Sequence, residues 1–190
     1  MSSEWLDPGD VAATYRGLGR GDDAIAVLRR EFEGRPGRST FRQLLDLAAA
    51  EGREATERSW ALDRAAQLAT EPFGTGAALI DIALGEDNLE TAWVAARAYG
   101  GAGHMWQPLA MASVATHPIA AADLYRPGIE KDLTNPIAKL YPSIAARLAT
   151  MRDLYIRGGA EPEFAAYVAE IRDRYGRRPS LMAALDRQGI

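Results

Sequence analysis

The chain of 190 residues contains no cysteine. That excludes a disulfide framework, a thiolate zinc site, an iron–sulfur cluster and a thiol nucleophile. Lysine is scarce, with Lys131 and Lys139 alone against 20 arginines, and histidine occurs only as His104 and His117. Their separation matches no short ligand motif and Pro118 ties His117 to a helix start, so no metal site is predicted. Valine and isoleucine together supply 15 residues, with no convincing period-two run and no Asn-Gly or Asp-Gly hairpin turn; strands are not expected. No 18 apolar residues occur in succession, and the start, with Glu4, Asp7 and Asp10, has no apolar run. The expectation is therefore a cytoplasmic protein without a signal peptide or membrane span. A Gly-x-Ser-x-Gly elbow, a Walker loop and a His-Glu-x-x-His motif are all missing, so neither a catalytic residue nor a cofactor is predicted.

What is present favours helix. Alanine occurs 36 times, hydrophobic residues make up 47% of the chain and charged ones 25%, enough apolar surface for a core. Apolar residues recur three and four apart, as in Ile25, Leu28 and Phe32, in Phe41, Leu44, Leu45 and Ala48, and in Leu140, Ile144, Leu148, Met151 and Tyr155. The formal net charge is −4, which argues against a broad phosphate-binding surface despite the arginines. Trp5, Trp60, Trp93 and Trp106 read mainly as core residues between helices. Asp81, Glu86 and Asp87 could in principle do acid–base work, but Asp87 or Asn88 more simply caps the helix beginning at Leu89.

The turn residues carry a period. Pro36, Pro72, Pro108, Pro142 and Pro179 fall 36, 36, 34 and 37 apart, near recurrent helix starts, and Gly19, Gly52 and Gly85 fall 33 apart, where a C-terminal glycine cap turns the chain into a neighbouring helix. Helical hairpins are predicted over 8–34, 37–70, 73–101, 104–133 and 142–176, with a final helix over 179–188 as a cap. Pro127 and Pro142 predict a break or an extra short helix within 126–141.

Val11, Ala12, Tyr15, Gly19, Ala24, Leu28 and Pro36 stand at spacings that resemble the tetratricopeptide signature, echoed late in the chain by Tyr155, Gly159, Phe164 and Val168. In the middle, Ala48 and Gly52 keep the turn, but Glu57 stands where that pattern has alanine. His117-Pro118, Leu124-Tyr125, Tyr141, Arg152, Leu154-Tyr155, Gly158, Glu163-Phe164, Tyr167, Ile171-Arg172, Tyr175 and Arg177-Arg178 are similar to the helical C-terminal region of bacterial SWIM zinc-finger family proteins. Their Cys/His motif has no counterpart here, so no function of the finger carries over. The tetratricopeptide resemblance, with the proline and glycine period, implies a single α-helical repeat domain over 1–190: antiparallel hairpins stacked as a right-handed tetratricopeptide-like solenoid of about five hairpins plus a cap.

In tetratricopeptide arrays the first helix of each hairpin lines a concave groove, which implies a partner surface at Arg16, Arg42, Asp46, Thr75, Asp153 and Arg157. Arg16 and Arg42 could converge on a carboxylate of a protein or peptide partner; alternatively they pair with Asp46 and neighbouring carboxylates on a solvated surface. Three functions follow: a non-catalytic module that binds a protein or peptide; a nucleic-acid-associated accessory factor, suggested by the tail Arg172, Arg174, Arg177, Arg178 and Arg187; or an all-α enzyme using Asp, Glu and Arg.

Overall fold

The structure, a computed structural model, describes residues 7–99 and 101–190. Among these residues every regular element is helical. The chain divides into two compact units, one reaching Met105 and one starting at Trp106. Trp5 lies outside the described residues.

In the first unit three hairpins follow one another: α1 (Pro8–Gly17) with α2 (Gly21–Gly34), α3 (Arg38–Ala50) with α4 (Glu54–Ala69), and α5 (Ala77–Gly85) with α6 (Leu89–Ala98). Each turn is built alike. After α1 the Gly19 N–H donates to the Arg16 carbonyl (2.9 Å) and the Arg20 N–H to the Tyr15 carbonyl (2.9 Å); after α3 the Gly52 and Arg53 N–H groups reach Ala49 (3.1 Å) and Ala48 (2.8 Å). These paired bonds satisfy carbonyls that a helix end leaves without partners, and they require a left-handed residue. Gly19 (φ 70°) and Gly52 (φ 68°) supply it, as expected. The third turn makes the same two bonds around a different residue: Asp87 (φ 55°), not Gly85, is left-handed, and its N–H and that of Asn88 reach Leu84 (3.3 Å) and Ala83 (2.9 Å). Aspartate tolerates this conformation better than most side chains. Gly85 closes α5, where a Cβ would collide with the Arg38 side chain.

The residue after each left-handed position is also the N-cap of the next helix: Arg20, Arg53 and Asn88. The Asn88 side chain accepts from the Thr91 N–H at 3.0 Å, the capping role read from the sequence. Nothing lies within 4 Å of a Cβ built on Gly52, so Gly52→Val tests conformation alone. A loss of about 1–2 kcal/mol in denaturant unfolding is expected from forcing a β-branched residue to positive φ; unchanged stability would remove the turn assignment.

Apolar stripes then pack the hairpins. Ile25, Leu28 and Phe32 of α2 meet Phe41, Leu44 and Leu45 of α3, all buried, and Phe32 contacts the rings of Phe41 (6.5 Å) and Trp60 (6.0 Å). Each helix of the unit touches its sequence neighbour, and α2 also touches α4 and α3 touches α5.

The second unit is arranged around one helix. It comprises α7 (Trp106–Ser113), α8 (Pro118–Asp123), α9 (Arg126–Thr134), α10 (Tyr141–Arg157), α11 (Glu161–Tyr175) and α12 (Pro179–Arg187). Four of these helices, α8, α9, α11 and α12, pack on α10, whose Tyr141, Ile144, Ala145, Leu148, Met151 and Leu154 are buried along one stripe. The α10–α11 turn repeats the earlier geometry at Gly159 (φ 69°), with N–H donors from Gly159 to Ile156 (3.1 Å) and Ala160 to Tyr155 (2.9 Å). Prolines cut the stretch before α10 into short pieces. Pro118 and Pro127 sit in the first turns of α8 and α9, and Asn135, held extended (ψ 119°) ahead of Pro136, ends α9. The extra short helix expected within 126–141 is the 3-10 turn Ala138–Leu140 after α9.

Candidate binding cleft

Of the six residues proposed to face a partner, Arg16, Arg42, Asp46 and Thr75 lie in the first unit and Asp153 and Arg157 in the second. Arg16 pairs with Glu51 at 3.5 Å, not with Asp46. Thr75 precedes α5, its Oγ1 accepting from the Ala77 N–H at 3.4 Å. Asp153 is 3.5 Å from Arg152. Arg157 is exposed at the end of α10.

Arg42 and Asp46 are brought together. One turn apart on α3, they line a cleft of about 280 Å³ whose other walls are Arg38, Glu54, Arg58, Gly85 and Glu86, with the buried Phe41, Leu45 and Ile82 beneath. Each cation has a different anchor. The Arg58 Nη2 lies 2.6 Å from Glu86 and the guanidinium stands over the Phe41 ring at 5.3 Å; the hydrogen bond to Glu86 holds it still more firmly protonated than usual. At the start of α3, Asp81 of α5 accepts from the Arg38 N–H at 2.7 Å and so caps the helix from outside. The Arg42 Nη2 donates to the Gly85 carbonyl at 2.9 Å, a bond that orients the guanidinium without neutralising it, and neither Arg42 nor Asp46 has an ion-pair partner among the described residues. The cleft thus offers a held cation, an unpaired carboxylate and an apolar floor.

Two further clusters were not foreseen. Glu57 is fully buried and takes a two-pronged bond from Arg29 (Nε 2.6 Å, Nη2 2.9 Å), with the Arg53 Nη2 at 3.2 Å. Arg53 also pairs with Asp22, and Arg29 stands over the Trp60 ring at 4.7 Å. The only signal in the sequence was a carboxylate at a position where the repeat pattern has alanine. In the second unit the buried Tyr155 hydroxyl donates to Asp123 (2.6 Å) and accepts from Arg126 (2.7 Å), and the buried Tyr167 hydroxyl donates to Glu130 (3.1 Å). Arg126 stacks over Tyr167 at 4.4 Å. Its Nε, 3.1 Å from Asp123 but out of line, is the one buried side-chain polar atom among the described residues without a hydrogen bond.

Burial first, then the neighbouring Asp123 or Glu130, raises both tyrosines above the ordinary phenol value of 10.0. The folded protein therefore keeps these protons after the unfolded chain has lost them. Their contribution to stability is complete below about pH 10 and declines above it, so Tyr155→Phe with Tyr167→Phe should flatten the alkaline limb of a stability-against-pH curve.

Three arginines of the basic tail are engaged internally. Arg172 bonds Asp186 (2.6 Å) and the Ile190 carbonyl, Arg174 bonds Glu130 (3.1 Å), and Arg178 bonds the Leu133 carbonyl (2.7 Å). Among the described residues no group of three or more His, Asp or Glu is placed to hold a metal ion, and no helix is long and apolar enough to cross a membrane. No protein-family model, curated protein or solved structure matches the chain.

Proposed function

We propose that the chain is a non-catalytic, tetratricopeptide-like helical-repeat module that binds a segment of a protein or peptide through the first helices of its hairpins, with the α3 cleft as the recognition point. Three consecutive hairpins with the same turn support the repeat, as do the contacts of α3 with α5 and of α2 with α4, since a solenoid stacks like helices on like. The observation that carries the binding role is Arg42. A guanidinium oriented by a main-chain carbonyl and left without a carboxylate is preorganised for one from outside. Asp46, one turn away, suits a donor on the same segment, and Phe41 and Leu45 suit an aliphatic side chain. Nucleic acid is the poorer fit, because the tail that suggested it spends Arg172, Arg174 and Arg178 on its own fold.

A random peptide library displayed on phage and selected on the full chain tests the reading. Peptides carrying an acidic residue should be enriched, and Arg42→Glu should weaken them at least tenfold, about 1.4 kcal/mol. Failure to enrich any peptide, or enriched peptides that bind Arg42→Glu as well as the parent, would overturn it.

A further inference from the structure

Phe73 is the most exposed apolar side chain described, at 104% of its reference area, and it sits at φ 68°, a backbone conformation that bulky L residues avoid. It occupies the third position of the turn Glu71-Pro72-Phe73-Gly74, closed by the Gly74 N–H to the Glu71 carbonyl at 2.8 Å, where a left-handed residue is ordinarily glycine. Glycine stands one residue later for a different reason: a Cβ at Gly74 would come within 2.5 Å of the Leu68 and Ala69 carbonyls. The turn is thus seated on the end of α4, fixed by a proline, and holds an aromatic ring wholly in water. Neither burial nor local propensity accounts for a phenylalanine there. Strain maintained without a gain in packing points to a role outside the folded chain.

The second unit carries a cavity that matches it. Between α10 and α11, Ile156 and Phe164 line an apolar cleft of about 300 Å³, edged by Arg152 and Glu161, in which Ile156 remains 48% exposed. Apolar cavities of about 150 Å³ already accept a benzene ring. Charge agrees through one pair: Glu71 beside Phe73 is exposed and has no ion-pair partner, as is true of Arg157 beside Ile156, whereas Arg152 at the rim is already held by Asp153 and by the Gln188 and Gly189 carbonyls and stands opposite Glu161.

We propose that Phe73 of one molecule inserts into the α10–α11 cleft of a second copy of this chain, with Glu71 facing Arg157. The contact is heterologous, so each copy offers one knob and one cleft and the assembly extends as a ring or a chain. A single aromatic anchor lies well below the ~1,000 Å² of a stable interface, so association is weak and rises with concentration.

Sedimentation velocity from about 1 to about 500 µM reads this range of affinity directly. The parent chain is expected to shift to larger species as concentration rises. Phe73→Gly, which removes the ring and relieves the backbone, and Ile156→Asp, at an exposed position, should each stay folded by circular dichroism and remain monomeric. Mixed one to one, they should form a dimer that grows no further, because Ile156→Asp contributes the only intact knob and Phe73→Gly the only intact cleft. A parent chain that stays monomeric throughout, variants that associate as the parent does, or a mixture that stays monomeric would each overturn the proposal. The peptide selection reads the α3 cleft, which this contact does not involve, so the two results are independent.

Discussion

Replacing Arg29 with alanine is expected to destabilise the protein by about 3 kcal/mol, because the Glu57 carboxylate, seated in the interior of the unit, would keep one hydrogen bond in place of three. Taking a single partner from a buried pair leaves a charge that water cannot reach, which is why the figure exceeds the fraction of a kcal/mol typical of exposed pairs. The Arg29 side chain, 33% exposed, also covers the Trp60 face, and that stacking is lost with it. Arg53→Ala provides the comparison. It removes only the 3.2 Å bond to Glu57 and an exposed pair with Asp22, and should cost about 1 kcal/mol. Replacing both members of the principal pair, Arg29→Met with Glu57→Leu, should cost less than Arg29→Ala alone, since no charge is then left buried. Urea unfolding of the three variants checks the order; an Arg29→Ala loss no larger than that of Arg53→Ala would show that Glu57 does not depend on the pair.

Leu148→Ala should cost about 3 kcal/mol, whereas Ile156→Ala, two turns further along α10, should stay within about 0.5 kcal/mol. The two side chains are similar in size and differ in position. Leu148 is fully buried among residues of the second unit's core, while Ile156 is 48% exposed. Truncating the first leaves a void that α8, α9, α11 and α12 cannot all close at once, since each is fixed against α10. Truncating the second removes little buried surface. Equal losses for the two variants would mean that α10 is not the centre of its unit.

The two units differ in how far the sequence revealed them. The hairpin over 8–34 and the final helix are found where they were expected, with α1 opening at Pro8 and α12 at Pro179. The information needed there is local: a glycine at the turn, two hydrogen bonds spanning six residues, a proline in a first helical turn. The third turn shows the limit. Gly85 kept the 33-residue period, yet α5 runs through Gly85 and the left-handed residue is Asp87; the glycine at 85 answers instead to the Arg38 side chain packed against it. Prolines foretold the interruptions around α8 and α9, but not that four helices would pack on the buried stripe of α10.

The clusters of charge were harder to read. Arg29 and Glu57 stand 28 residues apart, as Arg42 and Gly85 stand 43 apart. With 20 arginines and 26 acidic residues in the chain, no local rule selects these pairs; only the packing of one hairpin on the next does. Arg42 and Asp46 were legible as a pair of polar positions on an apolar helix. That Arg42 is tethered by a carbonyl and Arg16 by Glu51 follows from how the hairpins pack, which no local pattern encodes.

Arg20, Arg53 and Asn88 each end one helix's hydrogen-bond pattern and begin the next helix, so the hairpin turns contain no slack. One residue inserted beside Gly52 would rotate α4 by about 100° relative to α3 and carry Glu57 away from Arg29. The segment 70–76 between α4 and α5 has no such double duty. Length variation among natural variants of this chain, and any peptide tag placed inside it by design, should therefore be excluded from the bends within hairpins and fall in the joints between them, outside the turn at 71–74.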